Sequence, residues 1–275
     1  ASSVAVSPDG NWVYVVGYKS NASNKDWWLK KFSANGVEDT TNWNKTFDSG
    51  GNDEASSVAV SPDGNWVYVV GYKYNGANRD WWLKKFSANG VEDTTNWNKT
   101  IDGGFGDDQA LVKVSPDGTE VYVAGWKFNG TNYDWWLKKF SSDGVEDTTN
   151  WNKTFDGGFG NDLAMSVAVS PAGTEVYVAG WKFNGTNYDW WLKKFSSDQT
   201  LTCSLVSNTC PGGTFDVGTC SWSWMPMEYQ GPTSCNVTTR ASDGICNTDV
   251  VTHVIVNEVN ECPTSSAPAD VSGNE

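Results

Sequence analysis

Catalysis needs an asymmetric set of groups with distinct roles, and this chain of 275 residues offers few. Its one histidine, His253, stands in the alternating run from Val250 to Val256, with no Cys or Ser beside it in a nucleophile setting. A triad or a histidine-based metal site is therefore not expected, and His253 reads as a solvated strand residue. Carboxylates are plentiful. Asp48 to Glu54, Asp102 to Asp108 and Asp156 to Asp162 are Asp- and Gly-rich connections, and Asp26, Asp80, Asp134 and Asp189 each precede a Trp-Trp pair. Such groups suit cations, but Asp and Gly are also turn formers, and nearly every carboxylate before residue 199 is a copy of another at fixed spacing. The expectation is that the connections are turns, that the four Asp form hydrogen bonds at turns or strand starts, and that the chain is not an enzyme and needs no cofactor.

The remaining reactive side chains are cysteines. Cys203, Cys210, Cys220, Cys235, Cys246 and Cys262 all lie beyond residue 200 and lack the Cys-x-x-Cys spacing of a metal site. Disulfides are expected, in any of fifteen pairings of six cysteines, and they persist only in an oxidising compartment, so the chain is expected outside the cell or at its surface. Asn-x-Ser/Thr sequons at Asn21, Asn44, Asn98, Asn129, Asn152, Asn184 and Asn236 are candidate glycosylation sites on exposed loops. A formal charge of −14 and a pI near 4.4 disfavour nucleic acid and anionic membranes as partners. No apolar run reaches the ~20 residues of a membrane span, and no signal peptide precedes the first repeat, so the chain reads as processed or trimmed.

The elements that position these groups follow from a repeat. Ser7-Pro8-Asp9-Gly10 recurs from Ser61 and Ser115 and, with Ala172 in place of Asp, from Ser170, at steps of 54, 54 and 55 residues. The run Asp26-Trp27-Trp28-Leu29-Lys30-Lys31-Phe32 returns from Asp80, Asp134 and Asp189 at the same steps. In the first copy, Ser3 to Ser7, Trp12 to Tyr18, Trp27 to Phe32 and Trp43 to Phe47 read as strands, separated by Pro-Asp-Gly and Asn-rich turns. Four short antiparallel strands per period make a propeller blade. The predicted fold is all-β: a β-propeller-like array of four four-stranded blades over residues 1–198 (about 1–54, 55–108, 109–163 and 164–198). The last blade is incomplete, lacking the Trp-Asn-Lys-Thr strand, and its bare edge calls for a strand from Thr200 to Leu205, from a neighbouring subunit or from further sequence. Trp126, Trp181, Tyr133 and Tyr188, with Tyr18 and Tyr72 at equivalent places, are candidate glycan-stacking residues or blade-packing residues.

In the second copy Asp53, Ala55, Val58, Ala59, Val60, Asp63, Gly64, Tyr68, Val69, Gly71, Asp80, Lys85, Gly90 and Trp97 resemble the extracellular β-propeller repeats of bacteria and archaea. That resemblance implies a propeller blade but no particular activity.

From Gln199 the composition changes and Lys disappears. Residues 199–263 read as a small disulfide-rich β-sandwich-like module and 264–275 as a linker or tail. Thr238 to Gly244, the run to Val256 and Asn257 to Pro263 resemble the last strands and exit linker of a cadherin-like or immunoglobulin-like module. The resemblance implies calcium ligands at Asp243, Glu258, Asn260 and Glu261. The ends also match an internal junction, since Ser272-Gly273-Asn274-Glu275 and Ala1-Ser2-Ser3-Val4 mirror Gly51-Asn52-Asp53-Glu54 and Ala55-Ser56-Ser57-Val58. The function expected is an extracellular structural, self-assembling module of a surface layer or filament, with copies of itself as partners joined by strand donation. The alternative is a multivalent carbohydrate-binding propeller.

Overall fold

The computed structural model describes residues 1–104, 106–197, 202–210, 213–216, 221–223, 233–242 and 247–256. They fall in two compact units, Ala1–Gln199 and Thr200–Glu275, and their regular structure is all strand.

In the first unit, antiparallel sheets follow one another in chain order. β1 (Ser3–Val6), β2 (Trp12–Ser20), β3 (Lys25–Ser33) and β4 (Lys45–Phe47) form blade one. β5 (Glu54–Val60), β6 (Trp66–Tyr74), β7 (Arg79–Ser87) and β8 (Lys99–Ile101) form blade two. β9 (Gln109–Val114), β10 (Glu120–Phe128), β11 (Tyr133–Ser141) and β12 (Lys153–Phe155) form blade three. Blade four has only β13 (Leu163–Val169), β14 (Glu175–Phe183) and β15 (Tyr188–Ser196). In the second unit, β16 (Thr202–Asn208), β19 (Thr233–Ser242) and β20 (Asn247–Val256) make one sheet, and β17 (Thr214–Asp216) pairs with β18 (Ser221–Ser223).

The repeat produces blades because successive strand side chains alternate between faces. In β3, Trp27, Leu29 and Lys31 share one face with their cross-strand partners Tyr18, Val16 and Tyr14, while Trp28, Lys30 and Phe32 take the other. The first face of each blade docks on the second face of the next. Trp27 meets Trp82 with ring centroids 4.9 Å apart, and Trp43 meets Phe86 at 5.6 Å. The same pairs recur as Trp81–Trp136 at 4.5 Å and Trp97–Phe140 at 5.6 Å, then as Trp135–Trp191 at 4.7 Å and Trp151–Phe195 at 5.8 Å. Three apolar cores result, one at each junction, and each buried indole contributes roughly 4–6 kcal/mol of transfer free energy. Gly71 allows the strands to close up, since a Cβ there would lie 2.0 Å from the Glu54 carbonyl oxygen.

The unequal third step has a structural cause. β5 and β13 each carry a bulge, between Ala55 and Ser57 and between Ala164 and Ser166, whereas β9 is regular. The crossover from Asp102 to Asp108 is one residue longer than that from Asp48 to Asp53. Blade three thus gains a residue in its crossover and loses one in its strand, while blade four has both the long crossover and the bulge.

Two expectations need correction. Trp43 does not begin a strand: β4 starts at Lys45, and Trp43 is a buried anchor whose Nε1 donates to the Ala88 carbonyl of the next blade at 2.9 Å. Nor does Thr200 to Leu205 complete blade four, because Thr202 to Leu205 belongs to β16 and pairs with β19.

Candidate functional site

Blade four ends the described array with a face that no further blade covers. By register its first face carries Tyr177, Ala179 and Trp181 from β14 opposite Lys194, Leu192 and Trp190 from β15. Trp190 is 96% exposed and Leu192 67%, although their counterparts Trp27, Trp81 and Trp135 are fully buried, as are Leu29 and Leu83. Met165, Ala179, Trp181, Trp190 and Leu192 line an open trough of about 390 Å³. Blade one leaves the complementary face bare: Val4 is 62% and Val6 56% exposed, whereas Val58, Val112 and Val114 at matching positions are buried. Both surfaces are apolar at positions that interior junctions bury.

The second arrangement is acidic and sits where the chain crosses between blades. One carboxylate oxygen each from Asp80, Asp102 and Asp108 lie within 4.8 Å of one another, and Asp134, Asp156 and Asp162 repeat the group. Asp80 and Asp134 are buried in β7 and β11, and Asp108 and Asp162 are buried at the far ends of the crossovers. Backbone amides orient these last two: Phe128 N donates to Asp108 at 3.3 Å and Gly103 N at 2.7 Å, and Phe183 N donates to Asp162 at 2.9 Å. Burial, reinforced by the charges of Asp80 and Asp102, pushes Asp108 up to about 7 despite those amides. Burial likewise raises Asp80, Asp134 and Asp162. Sequence reasoning separated these residues into turns and strand starts. The signal that joins them is register: Trp81 pairs with Ile101 and Trp135 with Phe155, so Asp80 and Asp102, like Asp134 and Asp156, flank the end of a ladder as like charges, an arrangement sheets disfavour.

The four Asp that precede the Trp pairs do form hydrogen bonds with the Asn-rich turns. Asn21, Asn75, Asn129 and Asn184 each donate Nδ2 to the Asp five residues on. Of the sequons, Asn21, Asn44, Asn98, Asn129, Asn152, Asn184 and Asn236 are all exposed. Asn44, Asn98 and Asn152 accept from Trp28, Trp82 and Trp136 Nε1 at 2.9, 3.0 and 3.0 Å. Asn236 contacts His253 Nδ1 at 2.7 Å across the β19–β20 ladder, and His253 has no other role in view.

Among the glycan candidates, Trp181 and Tyr188 are exposed and 6.3 Å apart on blade four, Trp126, Tyr133 and Tyr18 are half-buried, and Tyr72 is buried. Cys210 and Cys235 form a disulfide within a small buried cluster with Val237. Cys203 lies in β16, while Cys220, Cys246, Cys262 and the calcium candidates Asp243, Glu258, Asn260 and Glu261 fall outside the described residues.

Fold and surface together define an all-β, propeller-like blade array with a separate disulfide-bonded β unit. Neither a protein-family model nor a curated protein sequence matches the chain. Among solved structures, it is similar to the hydrazine synthase of Kuenenia stuttgartiensis, at 15% identity and a TM-score of 0.41 over 93% of this chain and 63% of that one. An endo-arabinase from Bacteroides thetaiotaomicron aligns at 9% identity and a TM-score of 0.44 over 93% of both chains. Prolyl oligopeptidase B from Galerina marginata aligns at 10% identity and 0.36 over 92% of this chain and 34% of that one. Likenesses this distant carry no functional argument, and no helix among the described residues is long and apolar enough to cross a membrane.

Proposed function

We infer that the chain is a non-enzymatic, extracellular structural module, related to the bacterial and archaeal propeller repeats, whose copies assemble head to tail. The observation that carries this reading is the pair of bare faces. Trp190 and Leu192 at one end have the same strand positions as residues buried at every interior junction, and Val4 and Val6 at the other end match the residues that such a face covers. A second copy of the chain is the occupant this supports, since blade-on-blade packing is the contact the array itself uses three times.

In the assembled state Trp190 stacks on Trp28 of a second copy as Trp27 stacks on Trp82, and its Nε1 reaches the Tyr18 carbonyl as Trp27 Nε1 reaches that of Tyr72 at 2.8 Å. Lys194, which pairs with Glu175 in the single chain, takes the role of Lys31 and Lys85, whose ammoniums donate to next-blade carbonyls at 2.9 and 2.8 Å. Strand donation to the three-stranded blade four completes the junction. Contacts of this kind are heterologous and build filaments or closed rings. The Cys210–Cys235 disulfide supports a location outside the reducing cytosol, where the exposed sequons can carry glycans.

The test uses two blocked variants. Trp190→Asp blocks one end and the double variant Val4→Asp, Val6→Asp the other. Sedimentation of the wild type is expected to show oligomers that grow with concentration, each variant to remain monomeric, and an equimolar mixture of the two to form a dimer through the one intact pair of faces. Each block is expected to weaken association at least 100-fold. A monomeric wild type, with its Trp190 fluorescence blue-shifted by the chain's own second unit, would overturn the reading.

The exposed Trp181 in the lining of the trough supports a second reading, carbohydrate binding. Glycan binding by the monomeric Val4→Asp, Val6→Asp variant, abolished by Trp181→Ala, is the outcome that would favour it.

A further inference from the structure

The acidic crossovers play no part in stacking, and one of their carboxylates is left in an unfavourable state. Asp134 is only 4% exposed; its Oδ2 accepts from Asn129 Nδ2 at 2.9 Å, and its Oδ1 is buried without a hydrogen-bond partner. An oxygen so placed has lost its hydration and gained nothing in exchange. Asp156 and Asp162 bring two more carboxylate oxygens into the same group, within 4.8 Å. Protein cations do not compensate. Lys127 and Lys182, which act electrostatically on Asp134 and Asp162, stand over the Trp136 and Trp191 rings at 5.1 and 5.8 Å. Among the described residues neither forms an ion pair with the three carboxylates.

We propose that the long crossover at the junction of blades three and four binds one calcium ion through Asp134, Asp156 and Asp162. Three carboxylate oxygens with this spread can all touch one hard cation whose oxygen contacts are about 2.3–2.6 Å, and calcium's irregular six- to eight-fold shell leaves its other positions to water and carbonyls. Asp134 Oδ1 then has the partner it lacks.

The first crossover provides the internal contrast. It is one residue shorter and carries Ser49, whose hydroxyl donates to Asp53 Oδ1 at 2.6 Å and whose amide donates to Asp53 Oδ2 at 2.6 Å. The counterpart of Asp134 in blade one, Asp26, accepts from Asn21 Nδ2 with both oxygens at 3.0 Å, and Asp80 accepts from Asn75 Nδ2 at 2.9 and 3.0 Å, so neither carries an orphaned oxygen. Since one strand start, one strand end and the entry to the next blade converge at Asp134, Asp156 and Asp162, an ion there ties blades three and four together.

The test is calorimetric titration of the full chain with calcium chloride after chelation and dialysis. Asp156→Asn is the informative variant and Asp102→Asn its matched control, because both residues are exposed and an amide oxygen still caps Gly158 N and Gly104 N, which their carboxylates hold at 2.6 and 2.7 Å. The wild type and Asp102→Asn are each expected to take up one more ion than Asp156→Asn. The melting temperature is expected to rise by about 3 °C in excess calcium for the wild type and Asp102→Asn and not for Asp156→Asn. Equal uptake by wild type and Asp156→Asn, no uptake at all, or a response to acid without one to calcium, as carboxylates sharing a proton would give, each overturns the proposal. Unchanged circular dichroism of the variants shows that they fold.

Discussion

Trp81 and Trp190 occupy the same place in the same strand, inside the same seven-residue run, and differ only in what lies beyond them: Trp81 is fully buried between blades two and three, while Trp190 is 96% exposed. Register decides where a side chain points, and the neighbouring blade decides what that direction is worth. The comparison is broken most directly by truncating both. Trp81→Ala should cost about 4 kcal/mol, the range for deleting a buried aromatic side chain, whereas Trp190→Ala in the monomer should change stability by less than about 0.5 kcal/mol. Denaturant titration followed by far-ultraviolet circular dichroism measures both. Equal costs would mean that Trp190 is covered in solution.

The two units differ in a related way. A junction core in the array gathers a dozen large apolar side chains, whereas among the described residues of the second unit the cluster around Cys210 has Cys235 and Val237 as its further buried members. The disulfide stands at the centre of that cluster, and a small cluster leans on its cross-link. Replacing Cys210 and Cys235 by Ser is expected to remove roughly 3 kcal/mol from the second unit, the entropy of closing a 25-residue loop, and to leave the array transition unmoved. Differential scanning calorimetry separates the two, and a matching drop in the array transition would contradict the independence of the units.

Ion pairs sharpen the same contrast between closed and open faces. Lys84 is 3% exposed, pairs with Glu92 and also donates to Asn98 Oδ1 at 3.1 Å; Lys30, its equivalent on the bare face of blade one, pairs with Glu38 at 2.6 Å but remains 22% exposed. Glu92→Gln strands a buried ammonium and should cost about 2 kcal/mol. Glu38→Gln, with solvent at hand, should cost under about 1 kcal/mol. Urea midpoints of the two variants check the ratio, and association into oligomers should raise the second cost toward the first.

How much of this could be read from residues alone follows the same division. Strands, faces and turns were legible because Trp27, Leu29 and Lys31 alternate with Trp28, Lys30 and Phe32, and that alternation needs no knowledge of a partner. The clustering of six cysteines indicated disulfide bonding but not that Cys210 would meet Cys235. Trp43 was misjudged because an aromatic residue two places before a strand has the same composition as one within it. Thr200 to Leu205 was a tempting fourth strand for blade four, and β19, far away in sequence, claims Thr202 to Leu205. The acidic groups were missed because Asp80 and Asp102 converge only once β7 and β8 pair and the crossover turns back, a relation set by register and not by spacing.

The smallest effect tests whether blade four is weaker for reasons of its own sequence. In the first three Ser-Pro-Asp-Gly turns the Ser hydroxyl donates to Asp9, Asp63 or Asp117 and accepts the amide of the residue that starts the next strand, while the carboxylate accepts from Asn11, Asn65 or Thr119 N at 3.0, 3.0 and 3.1 Å. The fourth turn keeps the bond from Glu175 N to Ser170 Oγ at 3.0 Å, but Ala172 offers nothing to the hydroxyl or to Thr174. Ala172→Asp should restore both contacts and raise the melting temperature of the array by about 2 °C. The Ser hydroxyls and turn amides hold Asp9, Asp63 and Asp117 below the usual carboxylate range. A carboxyl lowered on folding stabilises above its unfolded value and ceases to do so as pH falls through its folded one. The gain should therefore be complete at neutral pH and fade below about pH 4. A gain that persists in acid would show that backbone preference at the turn, and not the hydrogen-bonded carboxylate, separates blade four from the other three.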